Sequence, residues 1–362
     1  MKIVHLLPAL EQGGVETVVC DLVRVLVRAG DEVLVVSAGG RLVARVERDG
    51  GRHLTLDLKS KNPLTYFFRA RRLRRILRDE KPDLVCAHSR VPAWLFVWAN
   101  RALGLRWITY AHGANSVSRY SEVMTRGNRV VTPSRFLADY LKQHYGTPAE
   151  KIRVIPNPVD TARFDPDNLD QAFIAEKRRA WGIAAGERVL MAVGRITPVK
   201  GLDGLIRDFA KRGGREKLVI IGGADNHHLA YLASLKALVA SLFPGNPAPP
   251  VVFAGPQEKI PECIAIADEI VSANTTKPET FGLSVVEAYA MNKPVTVARR
   301  FGGVAEVMAA VEGAGCDSRR AAVLKLYGTD VFAARTLAVY REVLSETPAR
   351  APSGAATNLC AP

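Results

Sequence analysis

Short apolar runs alternate with longer amphipathic stretches along most of the sequence, and this alternation restricts the fold more than any other feature. The run Val33-Leu34-Val35-Val36 is apolar at successive positions, which is typical of a strand buried on both faces. Strands that alternate with helices imply βαβ units and parallel sheets. The first half predicts strands at 2–7, 32–37, 53–57, 83–88, 106–111, 128–132 and 152–155, and helices at 15–29, 63–79, 91–103 and 134–145.

The alternation is interrupted at 156–170, where X-Pro steps and a cluster of acidic residues predict a linker. It then resumes, with strands predicted at 188–194, 217–222, 250–254, 268–272 and 294–297, and helices at 201–212, 227–243 and 282–291. A chain of 362 residues has the length of two α/β domains of about 150 residues each. The Ala/Pro/Ser-rich tail at 349–362 is predicted to be disordered.

Composition places the chain among soluble globular proteins. Hydrophobic residues make up 48% and charged residues 24%, which argues against wholesale disorder, collagen and coiled coil. The formal net charge of +14 favours an anionic partner, such as nucleic acid, an acidic membrane or a phosphorylated small molecule. Five widely spaced cysteines without a CxxC motif predict a reducing, cytoplasmic setting. Neither a signal peptide nor a membrane-spanning segment is predicted.

Two features of the first half lie where parallel strands end. Gly13-Gly14 follows the first strand and opens a helix, so the backbone could approach an anionic ligand closely, although a plain loop would look the same. Neither the dinucleotide fingerprint nor the P-loop pattern is present. His112 follows the strand at 106–111, at the edge where α/β proteins bind ligands; the alternative is a histidine that caps a loop.

A loop in the second half combines two cations with glycine. Arg195 and Lys200 follow the strand at 188–194 and precede a helix. Two cations beside free backbone amides could clamp a diphosphate. Two solvated surface cations are the alternative.

Two carboxylates, Glu279 and Glu287, stand eight residues apart. Glu279 lies in the loop before a predicted helix that is apolar on nearly every face, and Glu287 lies inside that helix. A carboxylate buried in such a helix is costly unless it is hydrogen-bonded, and a ribose diol would satisfy it. The amides near 281–284 could bind the phosphates of the same ligand. The alternative to a ligand is that Glu287 pairs with a neighbouring Arg or Lys.

No metal site is predicted. Asp165-Pro166-Asp167 matches a metal-binding Asp-x-Asp pattern, but it lies in the Pro-rich linker and is interpreted as a chance match. The Cys and His residues lack the spacing of a zinc site.

The segment 62–81 is strongly basic and predicts an amphipathic helix suited to an anionic membrane surface. The alternative is the solvated outer face of an ordinary domain helix. Nucleic acid is not an expected partner, because no recognised binding module accompanies the charge. The cations of this segment are Arg69, Arg71, Arg72, Arg74, Arg75, Arg78 and Lys81, and the apolar residues among them include Phe67, Phe68, Leu73, Ile76 and Leu77.

Taken together, these motifs resemble the retaining glycosyltransferases of family 4, which have the GT-B fold. The resemblance runs from residue 1 to about 346. The motifs that carry it are Gly13-Gly14-Val15-Glu16, Thr132-Pro133-Ser134, Ile155 to Asp160, Gly194-Arg195 with Lys200-Gly201, the E-x7-E pair Glu279 and Glu287, and Gly302-Gly303 with Glu306.

The resemblance implies an α/β architecture of two facing Rossmann-like domains with a cleft between them. It divides the chain into an acceptor-binding domain at 1–165, a nucleotide-sugar-binding domain at 166–330, and a helix at 331–346 that packs back on the first domain. The segment from Met308 to Ala322 is short beside family members, so a turn and a helix are expected to be missing after Glu306.

The resemblance also assigns roles. Arg195 and Lys200 would hold the diphosphate and neutralise the leaving group, and Glu287 would bind the ribose hydroxyls. Glu279 would position the sugar and its phosphate, together with the backbone amides of Phe281, Gly282 and Leu283. His112 would contact the sugar near the reacting centre, and Gly13 and Gly14 would close over the phosphates. His112 and Glu279 are thus the expected catalytic residues.

The expected activity is that of a retaining, metal-independent hexosyltransferase, similar to bacterial lipopolysaccharide core enzymes. It would transfer a sugar from a nucleotide-diphosphate sugar to a lipopolysaccharide core or another lipid-linked surface glycan. No cofactor is expected, and peripheral contact with the inner face of the cytoplasmic membrane is expected. The alternatives are a nucleotide-sugar epimerase of the same fold and a non-catalytic basic binding module.

Overall fold

The computed structural model describes residues 1–11, 13–212, 214–273 and 277–346, and its strands form two parallel sheets. The first sheet contains β1 (Lys2–Leu6), β2 (Glu32–Ser37), β3 (Arg52–Thr55), β4 (Leu84–Ala87), β5 (Trp107–Tyr110), β6 (Arg129–Thr132) and β7 (Ile152–Val154). The strand order is β3-β2-β1-β4-β5-β6-β7. The helices of this half are α1 (Gly14–Arg28), α2 (Val43–Arg48), α3 (Pro63–Glu80), α4 (Arg90–Asn100) and α5 (Arg135–Tyr145).

The first sheet is buried on both faces, as its apolar strands predict. Ile3 of β1 packs with α1 on one face, whereas Val4 packs with α3 and α4 on the other. Each strand therefore contributes to two hydrophobic clusters, because successive side chains point to opposite faces.

The second sheet contains β8 (Arg188–Val193), β9 (Glu216–Ile221), β10 (Val251–Gly255), β11 (Glu269–Ser272) and β12 (Val295–Val297), in the order β10-β9-β8-β11-β12. Its strands are also parallel. The remaining helices are α6 (Gln171–Ala180), α7 (Leu202–Arg212), α8 (Leu229–Leu242), α9 (Ile260–Ile266), α10 (Leu283–Ala290), α11 (Gly302–Glu312), α12 (Arg319–Tyr327) and α13 (Thr329–Ser345). The prediction of two α/β units is thus confirmed.

The strand order reverses once in each sheet, and these reversals locate the cleft. β1 lies between β2 and β4, and β8 lies between β9 and β11. Ligands of open parallel sheets bind outside the carboxyl ends of the strands at such a reversal. The loops after β1, β4, β8 and β11 are therefore the ones expected to carry the site.

The chain passes between the two halves twice, and the two crossings run side by side. Residues 156–170 contain no regular helix or strand, but Val159 forms a parallel bridge with Gly328, and its amide donates to Tyr327 O at 3.0 Å. Asp160 is bound by Arg24 of α1, and Asp165 pairs with Arg320 at 3.2 Å. Asp165 therefore has a structural partner.

Helix α13 lies against the first sheet. Tyr340 is fully buried there; its hydroxyl is 2.8 Å from that of Tyr110 and 3.3 Å from the Cys86 sulfur. Glu342 pairs with Arg129 at 2.8 Å and also with Arg153. Both apolar and ionic contacts therefore hold this helix on the first sheet.

The segment from Met308 to Ala322 contains the end of α11, a short connection and the start of α12. Met308, Val311 and Ala322 are buried in the core of the second half. These three side chains anchor the segment to that core, and its length relative to family members stays a prediction.

Helix α3 exposes most, but not all, of the basic residues expected at the surface. Arg69 is only 7% exposed, and its guanidinium donates to the carbonyl oxygens of Asp57, Ser60 and Asn62. The prediction that Arg69 faces a membrane is therefore wrong, because this side chain holds the loop that leads into the helix.

The predicted tail at 349–362 lies outside the described residues. Within them, no helix is both long and apolar enough to cross a membrane.

Candidate functional site

The loop after β8 is closely packed and carries both predicted cations. Gly222 lies so close that a Cβ there would come within 1.8 Å of Gly194 O, so only glycine allows this approach. Arg195 is exposed, and Lys200 is half-buried and pairs with Glu279. A small cavity is lined by Gly194, Arg195, Lys200, Ser272 and Ala273, among others, where β8 and β11 end. The loop thus places two cations at the reversal of the second sheet.

Helix α10 begins beside this ion pair. Its first residues follow Gly282, whose φ of +95° is in the left-handed region, and a Cβ at this position would lie 2.7 Å from Val304 Cγ2. Glycine provides no side chain to cap the helix, so the first amides of α10 remain available to an anion. Phe281 is buried beneath this turn and anchors it. The structure therefore brings Lys200, Glu279 and the start of α10 together, as predicted.

Glu287 lies one turn further along α10 and is half-buried. Burial raises the pKa of its carboxyl to about 7; the charge of Arg163 counteracts this rise and that of Asp21 adds to it. Glu287 accepts no hydrogen bond from the residues that the structure describes. A carboxylate in this state gains from any ligand that donates hydroxyl hydrogens to it.

One of the two predicted glycines of the first half, Gly14, faces α10 from across the cleft. Gly13 precedes α1, and a Cβ on Gly14 would lie 3.3 Å from Leu283 Cδ1. Two helix N-termini, of α1 and α10, therefore approach each other at this point. Such a pair favours a ligand with more than one negative charge.

His112 follows β5 and belongs to a chain of three histidines. His5 Nδ1 lies 2.9 Å from His88 Nε2, and His88 Nδ1 lies 3.0 Å from His112 Nε2. His88 is stacked on Tyr110, with ring centroids 4.6 Å apart. Burial lowers the pKa of His5 to about 3 and that of His112 to about 4. Burial, and secondarily its two histidine neighbours, lowers the pKa of His88 well below its usual value. All three rings are thus neutral near pH 7.

His5 and His88 were missed in the sequence, although a signal was present. His5 is the penultimate residue of β1 and His88 directly follows β4. β1, β4 and β5 are neighbours in the sheet, so residues near their carboxyl ends lie close together. Considering the three strand ends together would have indicated the cluster.

Two further contacts join the halves around the cleft. Thr280 Oγ1 donates to His112 O at 2.8 Å. The Glu306 carboxylate accepts the amides of Arg135, at 2.8 Å, and Phe136, at the start of α5. A groove of about 570 Å³ lies beside these contacts, lined by Ser134, Arg135, Phe281, Glu306, Tyr327 and Arg335, among others. Neither Thr280 nor the role of Glu306 as a cap was anticipated.

Among the described residues, no group of three or more His, Cys, Asp or Glu side chains could hold a metal ion.

Two family models match the chain in succession. The one described as Glycosyltransferase Family 4 matches residues 12–163, and the one described as Glycosyl transferases group 1 matches residues 173–327. Among curated proteins, the D-inositol 3-phosphate glycosyltransferase of Acidothermus cellulolyticus is 33% identical over 193 residues, 51% of this chain and 41% of that protein. The match thus spans about two fifths of the length of that relative.

Solved structures share the whole architecture. A glycosyltransferase from Rickettsia africae has a TM-score of 0.82 at 24% identity and covers 96% of this chain and 99% of its own. HepE of Anabaena, in complex with UDP and glucose, has a TM-score of 0.80 at 20% identity, over 94% of this chain and 99% of its own. These likenesses confirm the predicted GT-B fold. The two family models cover successive halves of the chain, and these matches show that it belongs to glycosyltransferase family 4.

Proposed function

We propose that the protein is a retaining glycosyltransferase that moves a hexose from a nucleotide-diphosphate sugar to a lipopolysaccharide core or another lipid-linked surface glycan. The observation that carries this proposal is the convergence of Lys200, Glu279 and the start of α10 opposite Gly14. This arrangement offers cations and free amides to a diphosphate at a strand reversal.

The proposed chemistry centres on the leaving group. Negative charge develops on the nucleoside diphosphate as its bond to the sugar breaks. That charge would be stabilised by Lys200, by Arg195 and by the backbone amides of Phe281, Gly282 and Leu283. Donors that are already in place lower the barrier most when the charge appears only in the transition state. The loss of one such donor typically costs about 3–4 kcal/mol of barrier. Because these cations belong to the chain, we propose that transfer is metal-independent.

We propose that the other predicted residues contact the same ligand. Glu287 would accept the ribose hydroxyls, because burial raises the pKa of its carboxyl and the described residues donate no hydrogen bond to it. Glu279 would hold Lys200 and position the sugar, while Gly13 and Gly14 would close over the phosphates. His112 would contact the sugar from the first domain.

The acceptor is proposed to bind to the first domain, beside a membrane. Helix α3 exposes Leu64 by 81% and Phe68 by 72%, and Arg71, Arg75 and Arg78 are exposed further along. At spacings of three and four residues, these five side chains form one stripe along the helix. Apolar and cationic groups in one stripe suit the surface of an anionic bilayer, such as the inner face of the cytoplasmic membrane.

Calorimetry with UDP-, GDP- and ADP-sugars tests the donor site, and Lys200→Ala and Glu287→Ala are the informative variants. Lys236, exposed on α8, supplies the matched control Lys236→Ala. We expect one nucleotide series to bind, both site variants to weaken it, and the control to bind like wild type. Binding of none of the three series, or binding that both site variants leave unchanged, would contradict the proposal.

Product analysis separates this proposal from its alternatives. A transferase gives a glycosylated acceptor whose anomeric configuration, measured by NMR, is that of the donor, with the same rate in EDTA. An epimerase would give a changed sugar without acceptor. A basic binding module would bind RNA or anionic vesicles in a salt-dependent way and no sugar nucleotide. Transfer to free D-inositol 3-phosphate, the acceptor in the relatives' name, would overturn the lipid-linked acceptor alone.

A further inference from the structure

The three histidines beneath the cleft form an unbroken line of hydrogen bonds. His5 and His88 are 0% and 3% exposed, whereas His112 is half-buried at the carboxyl edge of the sheet. Both links run from the Nδ1 of one ring to the Nε2 of the next, at 2.9 and 3.0 Å. Each link needs one N–H donor and one bare nitrogen.

Neutral rings allow only two arrangements of the protons. A neutral imidazole carries one N–H, so the choice at one ring dictates the choice at the next. Either all three rings carry the proton on Nδ1, or all three carry it on Nε2. In the first case His112 presents an N–H donor at its free Nδ1, and in the second it presents a bare acceptor there.

The far end of the line distinguishes the two cases. His5 Nε2 is buried and has no hydrogen-bond partner among the described residues. A proton on this atom would be a buried N–H without an acceptor, which is rare in native proteins and costs about 1–3 kcal/mol. With the proton on Nδ1 instead, only a lone pair is left without a partner. The orphaned nitrogen therefore favours Nδ1–H in all three rings.

Neighbouring residues fix the positions of the His88 ring and of the His112 backbone. Tyr110 stacks on His88, and its hydroxyl is in turn fixed 2.8 Å from that of Tyr340. The carbonyl of His112 is bound by Thr280 of the second domain. His112 Nδ1 makes no hydrogen bond with any described residue, so this atom is available to a ligand.

We propose that His5 and His88 are positioning residues that fix His112 as the Nδ1–H tautomer, so that His112 donates a hydrogen bond to an oxygen of the donor sugar. This inference rests on the proposed function for the identity of the ligand, but the tautomer itself does not depend on it. His5 lies two rings away from the cleft and would act only through His88.

Nitrogen NMR of the full-length, ¹⁵N-labelled protein tests the tautomer directly. Near pH 7 we expect His5, His88 and His112 each to show a protonated Nδ1 and a bare Nε2. His227, which is exposed, lies outside this line of rings and supplies the reference signal. A protonated Nε2 at His112, or averaged signals from its two ring nitrogens, would overturn the proposed tautomer even if the enzyme proves to be a glycosyltransferase.

Two substitutions of His5 test the consequence for catalysis. His5→Leu removes the donor to His88, whereas His5→Asn keeps an amide N–H near the position of Nδ1. By analogy with residues that orient metal-binding histidines, we expect kcat of His5→Leu to fall about 10- to 100-fold with little change in KM. His5→Asn should retain most of the activity, and His227→Asn should equal wild type.

The experiments distinguish failure of the positioning role from failure of the proposed ligand. Equal kcat values for wild type and a folded His5→Leu would overturn the positioning role. Should His5→Leu fail to fold, the tautomers of the wild type still decide the proposal. If no sugar nucleotide binds, the proposed ligand is wrong, while the NMR result stands or falls independently.

Discussion

Thr280 donates a hydrogen bond to the carbonyl oxygen of His112 at 2.8 Å, and this contact links the loop after β11 to the loop after β5. The two residues belong to different domains, so the bond exists only when the cleft is closed to this extent. It also connects the loop that carries Glu279 with the proposed sugar contact.

Replacement of Thr280 by valine should weaken the closed state. Valine keeps the shape but loses the hydroxyl, and a net hydrogen bond is worth about 1 kcal/mol, roughly a fivefold effect. We expect kcat/KM for the donor to fall by about that factor, with the free energy of unfolding changed by about 1 kcal/mol or less. Thr280→Ser, which keeps the hydroxyl, is the control. Wild-type kinetics for Thr280→Val would show that the bond does not contribute to turnover.

Gly303→Ala should disturb the same loop by steric conflict. A Cβ on Gly303 would lie 2.2 Å from Thr280 O and 2.6 Å from Phe281 Cα, both backbone atoms that cannot rotate away. We expect a loss of about 1–3 kcal/mol in the free energy of unfolding, measured by urea titration, and weaker nucleotide binding.

Gly204→Ala is the matched control in another helix. Gly204 lies in α7, and a Cβ there would meet nothing within 4 Å. Alanine should therefore stabilise the protein by about 0.5–1 kcal/mol, because it loses less backbone entropy in a helix. Equal effects of the two substitutions would refute the steric explanation.

Glu287 should make stability depend on pH. Burial raises its pKa from 4.5 to about 7, so the folded protein binds more protons than the unfolded chain between these values. Stability contributed by Glu287 is therefore present below about pH 4.5 and is lost as pH rises through about 7. Glu287→Gln is neutral throughout, so its stability relative to wild type should increase across this window. Unfolding in urea at several pH values measures the difference.

Asp21 titrates in the same window, because burial raises its pKa to about 6. Asp21 is present in both proteins, so the comparison of Glu287→Gln with wild type largely removes its contribution. A stability difference that does not vary with pH would mean that Glu287 keeps an ordinary pKa.

Helix α3 should bind anionic vesicles. Arg71→Gln with Arg75→Gln should weaken binding by about 1 kcal/mol per charge, and added salt should weaken it further. Leu64→Ser with Phe68→Ser should weaken binding through lost apolar contact. Sedimentation with phosphatidylglycerol vesicles, compared with phosphatidylcholine, measures both effects.

Leu229, 53% exposed in the second half, supplies the control Leu229→Ser for that experiment. Equal binding of wild type and both double variants would remove α3 from the proposed membrane surface.

Regular elements with a clear apolar period were predictable from local sequence. The strands β1 and β8 and the helices α3, α5 and α10 lie within one or two residues of the predicted bounds. Helices α2, α6, α9 and α12 were not predicted, and all have ten residues or fewer. Isolated helices of that length are marginal, so packing in the folded protein stabilises them.

The sequence alone determined the two α/β halves, the break at 156–170 and the residues that follow the strands, because each depends on local periodicity, proline and glycine. Only the tertiary structure revealed which of these residues meet. The pairing of Lys200 with Glu279, the approach of Gly14 to Leu283 and the line from His5 to His112 join positions up to 269 residues apart. The burial of Arg69 and the raised pKa of Glu287 likewise depend on surroundings supplied by distant segments. Such contacts follow from the order of strands in each sheet and from the closure of the two halves.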